Sequence, residues 1–367
     1  MDSLQVMCFS WNAGGIKFCD TTSQEEADKA LSKFKRFFQG QCIVPDFFID
    51  IQNNIERYLP GITVFSTQDE SYYSSYFHSK VLPQQMPLIN YSLLKRKTII
   101  LGSNDETMRV SIYVRGDLLN DFKFGEGIIK NRSLDDEWIE SYEEKSEGAL
   151  GSYILHPTYG IILFITIILT PIGGDIRRGF TRESLRAYAK AHNNRQLIDI
   201  LDYFVDSIPD DIRPDHVFIL GDLAYDIIIP NKTNQQILTQ YATNVSKISE
   251  MVKYYELTQA LKEFPLLGFK EGVGGKGPSF LPTWKLKRGR TSRCEPSTNN
   301  KIISKYCFES PHQIIGGIGF HDRVLYRDML TSNYAVKCLS YDRIDIKNIH
   351  QSDHAGVMGF FSLDYVQ

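Results

Sequence analysis

The sequence has little in bulk that would commit it to a partner or a compartment. Six cysteines (Cys8, Cys19, Cys42, Cys294, Cys307 and Cys338) are scattered over 367 residues with no CxxC or zinc-finger spacing. They exclude a disulfide framework and read as free thiols of a reducing compartment. Neither sign of charge dominates: 41 basic and 44 acidic residues leave a formal net charge of -3. No overall field draws the chain to nucleic acid or to a membrane, so any phosphate site must be local. Long apolar runs are missing too. The richest, "YGIILFITIILTP", has about half the residues of a bilayer-spanning helix. The opening "MDSLQVMCFSWN" has an acid at residue 2 and no basic region, unlike a signal peptide. The closing "FFSLDYVQ" carries no prenylation motif. These absences lead to the expectation of a cytoplasmic protein.

What is present is core-forming material. At 42% apolar and 12% aromatic content, the chain can bury one large core, and one unit over residues 1–367 is expected. Branched and aromatic runs predict strands at 4–11, 43–52, 60–66, 97–102, 108–114, 153–156, 161–169, 215–221, 317–326, 334–341 and 355–363. Ser23 and Glu26 form a capping box ahead of a helical stripe through Phe38. Helical spacing also marks 181–205 and 234–263, both suited to packing on a sheet face. Many strands with few helices predict a sandwich. Loops are expected at 265–282 and 286–300. The basic residues Lys285, Lys287, Arg288, Arg290 and Arg293 suit either phosphate or membrane contact, or plain solvation.

Four short motifs can carry chemistry. In "SWNAGG" a strand delivers Asn12, whose amide can position a phosphate or a water, or simply make a turn. "GDL" puts Asp222 at a strand end, as a reactive or a turn-capping carboxylate. "GFHDRVLYR" places Asp322 where it could orient a histidine, or pair with Arg323 at the surface. "QSDHAG" sets Asp353 and His354 before the last strand, as a metal ligand beside a phosphate-contacting imidazole, or as a capped loop.

Taken in order, Trp-Asn, Gly-Asp-Leu, Pro-Thr-Trp-Lys, Asp-Arg-Val-Leu and Ser-Asp-His resemble the inositol polyphosphate 5-phosphatase family, of the endonuclease/exonuclease/phosphatase superfamily. The longest match is "MVKYYELTQALKEFPLLGFKEGVGGKGPSFLPTWK", and the resemblance spans residues 5 to 363. It implies an α/β fold, a four-layered sandwich of two packed mixed β-sheets flanked by helices. It also implies Mg²⁺-dependent hydrolysis of a 5-phosphate on an inositol phosphate or phosphoinositide. By the resemblance, Asn12 holds phosphate and water, and Asp222 orients or deprotonates the attacking water. Asp322 aligns His354, Asp353 lies near the metal, and Lys285 and Arg323 contact ring phosphates.

The family pattern also breaks. Its Gln-Glu after the second strand reads as "DIQNN", putting Asn53 in place of the magnesium-binding glutamate. Ile168 stands where a histidine meets the phosphoryl group. "GDLAYD" puts Ala224 in place of an amide and Asp226 in place of an arginine, and Glu147 falls in the family's Asn-Lys-Gly segment. Losing one preorganised donor costs roughly 10²–10³ in turnover. The leading expectation is therefore a 5-phosphatase-like protein with impaired or absent catalysis and a binding or regulatory role, acting on an inositol phosphate, a phosphoinositide or a protein partner. It includes peripheral membrane contact through the basic loop 285–293 and no nucleic acid. Two alternatives stand beside it. One is an active Mg²⁺-dependent 5-phosphatase whose metal site is rebuilt from Glu56, Asp226 or Asp50, with His321 approaching the phosphate from a new side. The other is a nuclease of the same fold, against which the Pro-Thr-Trp-Lys stretch argues.

Overall fold

The computed structural model describes residues 3–13, 43–70, 82–101, 106–124, 148–169, 182–206, 213–242, 245–262, 266, 268–286, 306, 318–329, 332–344 and 352–366. The first strand, β1 (Leu4–Asn12), is apolar on both faces and buried along most of its length, the pattern of a strand covered on both sides. It runs parallel to β2 (Ile62–Glu70) and antiparallel to β12 (Gly356–Tyr365). With β3 (Tyr91–Leu101), β4 (Glu106–Arg115) and β11 (Tyr334–Ile344), these form a six-stranded sheet in the order β11-β12-β1-β2-β4-β3.

The second sheet takes β5 (Lys123–Phe124), β6 (Gly148–His156), β7 (Gly160–Ile168), β8 (His216–Asp222), β9 (Lys270–Glu271) and β10 (Asp322–Asp328), in the order β5-β6-β7-β8-β10-β9. Three apolar cores separate four layers. Val6, Cys8, Val64 and Ile112 meet Phe164, Phe218 and Val324 between the sheets. Ile51 and Ile55 of helix α1 (Ile43–Tyr58) cover Met7, Phe9 and Phe65 on the outer face of the first sheet. Leu197, Ile200 and Leu201 of α2 (Arg182–Leu201) join Ile165, Val217 and Ile219 on the outer face of the second. This is the expected four-layered α/β sandwich of two mixed sheets flanked by helices.

Two local expectations change. Residues 43–52 are not a strand but the first part of α1. Their branched content favours a strand, but Ile43, Phe47, Ile51 and Ile55 recur at four-residue steps, and Pro45 sits in the first turn, where its missing N–H costs nothing. The stretch 234–263 is three short helices: α3 (Asn234–Tyr241), α4 (Val245–Val252) and α5 (Glu256–Ala260). Thr233 and Gln236 close a capping box at the start of α3. The later break is set by Tyr255, which is fully buried, bridges to Ile227 and donates its hydroxyl to the Phe320 carbonyl at 2.8 Å. The helix expected after Ser23 lies outside the described residues, as do Glu147 and the basic loop beyond Leu286.

Candidate functional site

The period of two along each strand aims the site residues at one another. On β1, Asn12 shares a face with Val6 and Cys8, which look across to the second sheet; on β8, Asp222 shares a face with Phe218 and Leu220, which look back. The two side chains meet at one end of the sandwich, where Asn12 Nδ2 donates to Asp222 Oδ2 at 2.8 Å. Asp322 is the Cα partner of Asp222 in the antiparallel β8–β10 pair, so the two carboxylates lie side by side. The backbone N–H of Asn12 donates to Asp322 Oδ1 at 2.6 Å.

The turn after β8 is held by its neighbours. Gly221 has φ 147, and a Cβ there would come within 1.8 Å of the Ile167 carbonyl oxygen, so only glycine lets β8 lie this close to β7. Asp222 Oδ1 accepts from the Ala224 N–H at 2.9 Å, and Asn193 of α2 donates to the Ala224 carbonyl at 3.1 Å. Asp222 therefore has contacts to both of its oxygens before any ligand arrives.

His354 arrives on the segment before β12. Its backbone N–H donates to Ser352 Oγ at 3.0 Å, while that hydroxyl donates to the Asn12 carbonyl at 2.7 Å. His354 Nδ1 lies 2.8 Å from Asp322 Oδ2, and Nε2 lies 3.8 Å from Asp222 Oδ2. Burial opposes a charged imidazole, but the Asp322, Asp222 and Asp353 carboxylates outweigh it and push the His354 pKa up to about 9. For Asp322, burial raises the pKa and the facing His354 pulls against it. The Pro-Thr-Trp-Lys segment laces these parts together. Thr283 Oγ1 accepts from Asp322 N at 3.2 Å, Thr283 O accepts from Ala355 N at 2.9 Å, and Asp353 O accepts from Leu286 N at 2.8 Å.

The structure thus brings Asn12, Asp222, Asp322 and His354 together, and it moves other expected residues elsewhere. Arg323 does not face a ligand. Successive strand residues point to opposite faces, so Arg323 leaves Asp322 behind and enters the helical layer. There it is fully buried, paired with Glu271 and held over the rings of Tyr255 and Phe320 at 4.5 and 5.2 Å. Lys285 is half-buried, with Nζ 5.4 Å from the Trp284 ring centroid at the edge of the site. Asp353 is buried beside His354, but among the described residues the side chains whose ligating atoms converge are Asp222, His321 and His354.

Asn53 is not at the position of the missing glutamate. It is an exposed residue of α1, as is Glu56, which accepts from Gln52 Nε2 at 3.3 Å. The strand that lies beside β1 and ends level with Asn12 is β2, with Asn12 and Gln68 as Cα partners, and it ends in Gln68-Asp69-Glu70. The glutamine and acid that end the strand beside Asn12 are therefore Gln68 and Asp69. Sequence reasoning missed them because "DIQNN" and "TQDE" both hold a glutamine after an apolar run. The missed signal was the helical four-residue step in the first and the branched and aromatic content of "ITVFSTQ".

Ile168 and Ala224 do flank Asp222. Ile168 is its Cα partner in the parallel β7–β8 pair and packs into the core between the sheets. Neither side chain can donate a hydrogen bond. His321, one residue before β10, is buried and stacked on Trp284 with ring centroids 4.3 Å apart and planes at 13°. Its Nε2 lies 3.1 Å from Asp226 Oδ1, and its Nδ1 lies 3.6 Å from Asp222 Oδ1.

A sandwich of two mixed sheets flanked by helices is the endonuclease/exonuclease/phosphatase fold. Residues 184–360 match the family model described as "Endonuclease/Exonuclease/phosphatase family 2". Among solved structures, the chain is similar to the inositol polyphosphate 5-phosphatase domain of SpSynaptojanin, in complex with inositol (1,4)-bisphosphate and calcium ion. That match has a TM-score of 0.57 and 16% identity, over 98% of this chain and 84% of that one. A variant of Cimex nitrophorin, in a ferrous NO complex, matches with a TM-score of 0.55 and 17% identity over 99% of both chains. At these identities the likeness is one of fold. No curated protein matches the sequence. Among the described residues no helix is long and apolar enough to cross a membrane.

Proposed function

We propose that the chain is an inositol-phosphate-binding, 5-phosphatase-like domain with strongly reduced phosphoester hydrolysis. The observation that carries this reading is the contrast around Asp222. The Asn12–Asp222–Asp322–His354 frame is preassembled, while the two residues flanking Asp222, Ile168 and Ala224, offer no side-chain donor to a phosphoryl oxygen. In this reading Asn12 and Asp222 position the attacking water, and Asp322 holds His354 oriented against the phosphate. Lys285 supplies a point charge to a second phosphate at the rim. The ligand is an inositol phosphate or the same headgroup on a phosphoinositide.

Enzymes of this fold typically depend on a divalent metal. The residues fit one: Gln68 Oε1 is buried without a hydrogen-bond partner beside Asn12, the Cα partner of Gln68, and Asp69, the next residue, would supply a carboxylate; such oxygen donors suit Mg²⁺. When bound, the cation would neutralise charge on the phosphoryl oxygens. This fit favours a second reading, an active Mg²⁺-dependent 5-phosphatase, because the carboxylate that Asn53 lacks is supplied by Asp69.

One experiment separates the two. Phosphate release from an inositol 5-phosphate is measured with Mg²⁺ for the parent chain, for Asp222→Asn and for Ile168→His with Ala224→Asn. The first reading expects slow release that the paired restorations raise by roughly 10²-fold or more. Rapid release by the parent chain, abolished by Asp222→Asn, would overturn it in favour of the second.

A further inference from the structure

His321 and Asp226 form a unit that the phosphoester reading does not use. His321 is 1% exposed, and its Nδ1 has no hydrogen-bond partner although it is buried and turned towards Asp222. Its other nitrogen is engaged by the Asp226 carboxylate at 3.1 Å. His354 repeats the pattern: Nδ1 is engaged by Asp322 at 2.8 Å, and Nε2 points to the same Asp222 carboxylate at 3.8 Å. The three ligating atoms lie within 4.8 Å of one another.

Two imidazoles, each with one nitrogen on a carboxylate and the other turned to a shared point, have the outer-shell arrangement that fixes the tautomer of metal-binding histidines. His321 Nδ1 is 3.6 Å from Asp222 Oδ1 and His354 Nε2 is 3.8 Å from Oδ2, so small side-chain shifts towards one cation would bring them to the roughly 3.3 Å between donors around a tetrahedral ion with bonds of about 2.0–2.1 Å. Both Asp222 oxygens keep a lone pair after accepting from Asn12 and Ala224. Three carboxylates, Asp222, Asp226 and Asp322, surround the two rings, so a divalent cation would offset local negative charge. Trp284, stacked on His321, shields one side and holds that ring in place.

We propose that Asp222, His321 and His354 bind a borderline transition-metal ion such as Zn²⁺ or Co²⁺, with Asp226 and Asp322 as the carboxylates that orient the two imidazoles. Two nitrogens and one oxygen prefer such an ion over Mg²⁺, which selects oxygen donors. The site is separate from the oxygen set around Gln68 and stands whether or not the chain hydrolyses a phosphoester. A metal held there occupies Asp222 and His354, so it competes with the roles proposed for them above.

The test is a titration of chelator-treated full-length protein with Co²⁺, followed by its visible d–d absorption, with no phosphoester present. One equivalent should bind and be displaced by Zn²⁺ but not by an equal concentration of Mg²⁺, and the spectrum should lack thiolate charge-transfer bands. Asp226→Asn should weaken binding by about 10–100-fold, and His321→Asn by at least as much. Circular dichroism checks that each variant is folded; if His321→Asn unfolds, Asp226→Asn decides. The proposal is overturned by the absence of a saturable band, by thiolate bands, or by unchanged affinity in the folded variant. Hydrolysis, assayed separately with Mg²⁺, tests the earlier reading and leaves this one untouched.

Discussion

Ala224 has φ 49, a left-handed conformation that costs a residue with a side chain about 1–2 kcal/mol and that asparagine and glycine adopt more readily. The turn has a backbone that suits asparagine or glycine better than the alanine that occupies it. Ala224→Asn and Ala224→Gly are therefore each expected to raise stability by up to about 1 kcal/mol, read as a higher urea midpoint at unchanged slope. Cys8 and Cys338 show burial acting on a reactive group. Burial is the main cause that raises both thiols, Cys338 to about 12, and Cys8 is raised further by Cys338. Since the thiolate is the nucleophile, neither should be alkylated by iodoacetamide in the folded protein at mildly alkaline pH. Both should label once denatured, as mass spectrometry of the peptides would show.

At the scale of elements, β9 and β10 carry an ion pair that supports the second sheet from outside the site. Glu271 binds Arg323 and accepts from the Tyr341 hydroxyl at 2.8 Å, in full burial. Removing one partner strands a buried charge. Glu271→Gln is expected to cost about 3–5 kcal/mol of stability, and replacing both residues with Leu and Met to recover a large part of it. Denaturant unfolding of the single and double variants checks this. If Arg323 instead served the ligand, Arg323→Met would weaken inositol phosphate binding at constant stability; the expected result is the reverse. The same geometry explains why the Asp-Arg dipeptide misled: adjacency in sequence along a strand means opposite faces in space.

For the whole molecule, the site is a seam between the two sheets. Asn12 of the first sheet bonds to Asp222 and Asp322 of the second, and Ser352 ties the approach to β12 back to Asn12. Hydrogen exchange should be slowest in β1, β7 and β8, whose residues are buried on both faces and paired on both edges, and faster in the edge strand β3. Mass-spectrometric exchange by peptide reads this directly. Asn12→Ala should speed exchange in β8 and β10 together, because one residue bridges both.

Much of this was legible in one sequence because strand and helix periods are local. The apolar runs in "LQVMCFSWN" and "HVFILGD" and the stripe of residues 181–205 were enough to expect strands and a helical layer, whereas the two packed sheets and the set Asn12, Asp222, Asp322 and His354 followed from the resemblance to a known family. Local signals fail where two periods fit the same residues, as in "IVPDFFIDIQNN", and where strand order matters. Only the parallel pairing of β1 with β2 identifies Gln68-Asp69 as the pair level with Asn12 and removes Asn53 from the site. Side-chain direction likewise decided that Arg323 is structural, and that His321 and Asp226, remote in sequence, share one hydrogen bond. The sequence by itself determined which residues could do chemistry, because residue type and local period are written along the chain. The tertiary structure alone decided which of them meet, because that depends on sheet order and on the face each strand presents.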